Sequence, residues 1–81
     1  MIYRYRIAGT IYESDSQLGI AKQLRDSSFD PNSTIGKYMA ETMVRLQVQT
    51  GRAYQAQPTA AEFLAALVDA GQAERIEDAQ S

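Results

Sequence analysis

The sequence contains neither cysteine nor histidine. Without cysteine, no disulfide and no thiolate-held zinc can staple the fold. Stability must then come from an apolar core, or from pairing with a second copy or a partner. Without histidine as well, Ser–His and Cys–His nucleophile systems and imidazole or thiolate metal sites are excluded. The five glycines stand apart from one another, and none has the strand–loop–helix setting of a phosphate-binding loop. Carboxylates, tyrosine, lysine and arginine remain as possible acids, bases or nucleophiles, but no pattern gathers them. The expectation is a protein without catalytic residues, cofactor or metal.

No apolar run approaches the ~18 residues of a membrane span, and no charged-then-apolar leader opens the chain. A cytoplasmic protein with no membrane contact is expected. Strong basicity is also missing. The formal charge is −2 and the isoelectric point is near 4.9, a poor overall match to the basic footprint of a nucleic-acid binder. The charge is unevenly spread, however. Residues 1–25 carry Arg4, Arg6, Lys22 and Arg25 against Glu13 and Asp15, whereas residues 59–81 carry Glu62, Asp69, Glu74, Glu77 and Asp78 against Arg75 alone.

What is present fits one small α+β domain over residues 1–81, with 72–81 a possible frayed tail. The 44% of apolar residues suffices for a globular fold, though a chain this short buries only somewhat above ~60% of its unfolded surface. Residues 2–7, IYRYRI, alternate with period two and are rich in β-formers. If Ala8-Gly9 makes a two-residue turn, Ile7 meets Thr10, Tyr5 meets Tyr12 and Arg4 meets Glu13. One face of that hairpin holds Tyr3, Tyr5, Ile7 and Tyr12; the other holds Ile2, Arg4, Arg6, Ile11 and Glu13. A single long strand with a glycine bulge is the alternative.

Residues 14–28 predict a helix, with Ser14 and Gln17 as a capping box and Leu18, Ile20, Ala21 and Leu24 as its apolar stripe. A second helix is expected from about Ser33, burying Ile35, Tyr38, Met39, Thr42, Met43 and Leu46 and ending at Gly51. A hairpin through Val44, Leu46 and Val48 competes with its second half. RAYQAQ, residues 52–57, suggests a short strand. In residues 58–71 Thr59 and Glu62 form a capping box, Phe63, Leu64, Leu67 and Val68 a buried stripe, and Gly71 a stop. Residues 75–76 offer one further short strand.

Three groups invite a functional reading. Arg4 and Arg6 point the same way on a strand, but base-stacking aromatics belong on that exposed face, and Tyr3, Tyr5 and Tyr12 fall on the other. Glu74, Glu77 and Asp78 have helix-neighbour spacing that could hold an oxygen-loving cation; a solvated acidic tail is the simpler reading. Asn32-Ser33-Thr34 has the form of a glycosylation sequon, and a helix cap explains it equally.

The stretch IAKQLRDSSFDPNSTIGKYM, residues 20–39, resembles a helix-turn-helix. Ile20, Ala21 and Leu24 match its first helix; Thr34, Ile35 and Tyr38 match its second. The resemblance implies a groove-facing set of Ser33, Thr34, Gly36 and Lys37, with Lys22 and Arg25 nearby. Arg25 occupies the usual turn-glycine position, and the interval holding Pro31 is longer than the motif's. A strand followed by two helices also resembles a ribbon-helix-helix dimer, although residues 8–14 intervene. The reading favoured by the residues is a non-catalytic interaction or regulatory protein that binds another protein, of the kind found as adaptors or as inhibitors encoded by mobile elements, and able to form a homodimer. The alternative is a small DNA-binding regulator using Arg4, Arg6, Lys22, Arg25, Ser33, Thr34 and Lys37.

Overall fold

The computed structural model of the chain describes residues 2–28 and 32–76. Alternation in the first fourteen residues makes a hairpin of β1 (Tyr3–Ile7) and β2 (Thr10–Ser14), paired Ile7–Thr10, Tyr5–Tyr12 and Arg4–Glu13. A turn replaces the alternative bulge. Its Ala8 and Gly9 both have positive φ, 53° and 80°, as the right-twisted two-residue hairpin requires. Glycine accepts this freely; alanine bears a cost of roughly 1–2 kcal/mol. Ala8→Asn, which gives the preferred Asn-Gly turn, should therefore raise stability by about 1 kcal/mol, read as a higher urea midpoint at unchanged slope.

Three helices follow: α1 (Gln17–Asp26), α2 (Ile35–Thr50) and α3 (Ala60–Asp69). Ser14 does not cap α1, because β2 runs through it. The cap is Ser16, whose hydroxyl accepts from the Gly19 N–H. Likewise Thr34, not Ser33, caps α2, accepting from the Lys37 N–H. The proposed hairpin through Val44–Val48 does not form. Helix α2 continues to Thr50, leaving Val44 and Val48 in solvent. The expected box on α3 is present, with Glu62 accepting from the Thr59 N–H and Thr59 accepting from the Glu62 N–H.

Residues 52–57 are not a strand. They form an irregular connection in which Arg52 and Tyr54 both bind the Asp69 carboxylate at the end of α3. The third strand is instead β3 (Ala73–Arg75). Its position follows from how α3 stops. The Gly71 N–H bonds Val68 O, the Gln72 N–H bonds Leu67 O, and Gly71 takes positive φ. This Schellman turn sends the chain straight back along the vacant side of β1, while Gln72 bonds Gln49 at the end of α2. The sheet order is β2-β1-β3, all antiparallel.

The α+β architecture is thus one helical layer over one face of a three-stranded sheet. Tyr5 and Ile7 point into the core with Ile20, Ala21, Leu24, Met39, Met43, Leu46, Phe63, Leu64, Ala66 and Leu67. Leu18 and Val68, expected in the stripes, lie at 41% exposure, and Ala66 is buried in their place. Each helix turns a narrower face inward than its apolar residues allow. The half-buried Tyr38 ring and the Phe63 ring meet edge to face, centroids 5.9 Å apart, and Arg75 lies over the Tyr3 ring. Among the described residues no helix is long and apolar enough to cross a membrane.

Candidate binding groove

Where the hairpin tip, the end of α1 and the middle of α2 converge, they leave a groove of about 630 Å³. That lies within the roughly 300–1,000 Å³ typical of ligand sites. Ile7, Tyr12 and Leu24 supply an apolar side, and Tyr38, Glu41, Thr42 and Arg45 supply a wall from α2. Ala8, with its strained backbone, stands on the rim.

Several hydroxyls around the groove are already committed. Ser27 Oγ donates to Gln23 O, Ser28 Oγ to Arg25 O, and Thr42 Oγ1 to Tyr38 O. Burial raises the Tyr38 phenol above its ordinary pKa, partly offset by Thr42 and by the nearby Arg45 guanidinium. It therefore stays protonated at neutral pH. Glu41 and Arg45 stand one turn apart without an ion pair between them. The groove has aromatic rings, neutral hydroxyls and two opposed charges.

Elsewhere the structure places the other residues singled out by sequence. Arg4 pairs with Glu13 at 3.2 Å and Arg6 with Glu74 at 3.1 Å, both on the open sheet face. Those acids neutralise the arginine ribbon, and Tyr3, Tyr5 and Tyr12 sit on the opposite face, as the alternation required. Arg25 pairs with its neighbour Asp26 at 3.1 Å. Thr34 spends its hydroxyl on the cap, Ser33 lines the groove, and Lys22 and Lys37 are exposed. Helices α1 and α2 are separated by residues 27–34, longer than the helix-turn-helix connection of about 3–4 residues. Glu77 and Asp78 lie outside the described residues. Among the described residues no three acidic groups cluster for a metal.

Sequence reasoning missed this groove. Tyr12, Tyr38, Glu41 and Arg45 come from separate elements, and no spacing along the chain links them. The Asp69 clip was missed for the same reason. Its carboxyl is held below its ordinary pKa, first by the hydrogen bond from Arg52 and then by that from Tyr54. The clip is thus complete at neutral pH and is lost as pH falls through that lowered value. Comparison with protein-family models, with curated proteins and with solved structures finds no match to this chain.

Proposed function

We propose that this protein is a non-catalytic binding domain whose partner is another protein, engaged at the groove between the hairpin tip and α2. The observation that carries the reading is the chemistry of that groove. Half-buried tyrosines, Tyr12 and Tyr38, over an apolar floor of Ile7 and Leu24 are combined with the exposed charges of Glu41 and Arg45, a mixture that suits protein contacts. Ion pairing of Arg4, Arg6 and Arg25 supports this reading over DNA binding, because it removes three cations from the set available to phosphates.

A photo-cross-linking residue placed at Glu41 should capture one discrete protein in the source cell, and the same residue at Gln55 should not. Equal labelling from both positions would remove the groove as the site. The DNA alternative has its own readout. Duplex of mixed sequence at physiological salt should show no binding as strong as the ~10⁻⁴–10⁻⁶ M of non-specific binders. Micromolar, steeply salt-dependent anisotropy that is abolished in a Lys22→Ala/Lys37→Ala variant would favour the DNA regulator instead.

A further inference from the structure

The sheet edge beside the groove has backbone groups to offer. Strand β2 is an outer strand, and the pairing on β1 settles which of its peptide groups face outward. The Arg4 carbonyl accepts from the Ile76 N–H on the β3 side of β1. Arg4 therefore does not exchange hydrogen bonds with Glu13, its partner across the hairpin. In an antiparallel ladder such pairs alternate, so Glu13 and Ile11 turn their N–H and C=O groups away from β1. One of these four is already taken: Gln23 Nε2 on α1 donates to Glu13 O at 2.7 Å. The Ile11 N–H and C=O are left open at the tip end, beside a side chain 50% exposed. Between Ile11 and Glu13, Tyr12 points inward and forms part of the groove.

We propose that the tip half of β2 accepts an extended segment of a protein partner as a fourth strand, with one inward side chain of that segment entering the groove beside Tyr12. This rests on the protein-binding reading above and names the form of the partner. Strand addition draws its affinity from main-chain hydrogen bonds and its specificity from pockets for alternate side chains, and here the open edge and the groove adjoin at Tyr12. The opposed charges of Glu41 and Arg45 on the α2 wall suit a segment that carries a residue of each sign near its apolar one. A second copy of this chain is the poorer occupant. Two β2 edges related by a two-fold at Ile11 would meet only over Thr10–Tyr12 before the Gln23 bond intervenes. Such a copy would set only the short Thr10 side chain opposite Tyr12 and leave the groove unfilled. Gln23 occupies the Glu13 carbonyl alone, so the Glu13 N–H and both Ile11 groups remain for a short segment.

The test uses the full chain, ¹⁵N-labelled, and the blocked peptide acetyl-Lys-Thr-Phe-Thr-Glu-amide. Its threonines would lie opposite Ile11 and Glu13, and its phenylalanine opposite Tyr12. Titration should shift the Ile11 and Glu13 amides together with Tyr12 and Arg45. N-methylation of both threonine amides should weaken binding by about ten-fold or more, and Gln23→Ala, which frees the Glu13 carbonyl, should tighten it several-fold. The proposal is overturned if these amides do not move at several millimolar peptide, or if the N-methylated peptide shifts them equally. It is overturned in favour of self-pairing if Ile11 alone shifts with protein concentration in the absence of peptide. A specific cross-link from Glu41 combined with a silent edge would retain the protein partner and discard the added strand.

Discussion

Phe63→Ala should remove a large share of this protein's stability at 25 °C and lower its urea midpoint more than Leu67→Ala or Val48→Ala. The ring is fully buried, at 0% exposure, and its edge-on contact with Tyr38 joins α3 to α2. Truncating a buried phenylalanine costs about 3–5 kcal/mol, through lost transfer energy and the cavity left behind. A domain of this length holds only roughly 4–12 kcal/mol in total. No disulfide limits the unfolded state here, so nothing offsets the loss. Leu67→Ala, one turn further along the same face, should cost about 2–5 kcal/mol. Val48→Ala, at a site 81% exposed, should stay within ~0.5 kcal/mol of the parent. Circular-dichroism urea titrations of the three variants provide the check. A Phe63→Ala midpoint close to that of Val48→Ala would mean that α3 does not form the core.

Gly19→Ala should also destabilise, against its helix propensity. Alanine inside a helix is normally better than glycine by about 1 kcal/mol, and residue 19 lies within α1. A methyl group there, however, would overlap Ser14 Oγ and stand 2.9 Å from Ser14 Cβ. The hydroxyl can rotate away, but the Cβ is fixed to the end of β2. Overpacking of this kind costs typically ~1–3 kcal/mol, enough to reverse the sign. We expect a net loss of about 1–2 kcal/mol and a melting temperature lower by roughly 5–15 °C. The cause can be isolated in a double-mutant cycle. In a Ser14→Gly background, Gly19→Ala should become neutral or stabilising. A stabilised single variant would show that the β2–α1 junction moves apart without cost.

The local features were legible because their physics is local. The hairpin register follows from period-two alternation around Ala8-Gly9, and the Thr59–Glu62 box from a four-residue pattern. Where the sequence reading and the structure part, a neighbouring element took the residue. Ser14 has the chemistry of a cap, yet β2 claims it and Ser16 serves instead. Val68 has the hydrophobicity of a core residue, but three helices share one sheet face and Ala66 packs there. RAYQAQ has the pattern of a short strand, but the Schellman turn at Gly71 delivers Ala73–Arg75 to the only vacant side of β1.

Taken alone, the sequence determined that no histidine or thiolate chemistry is available, that an α+β fold opens with a hairpin, and that the tyrosines and arginines of that hairpin part to opposite faces. Each follows from composition or from a repeat shorter than one element. Only the tertiary structure decided that Arg6 is neutralised by Glu74, that Asp69 ties down Arg52 and Tyr54, and that Tyr12, Tyr38 and Arg45 enclose one groove. Those contacts join residues remote in sequence. Their existence depends on the order of strands and the placement of helices, which buried area and backbone hydrogen bonding choose for the chain as a whole.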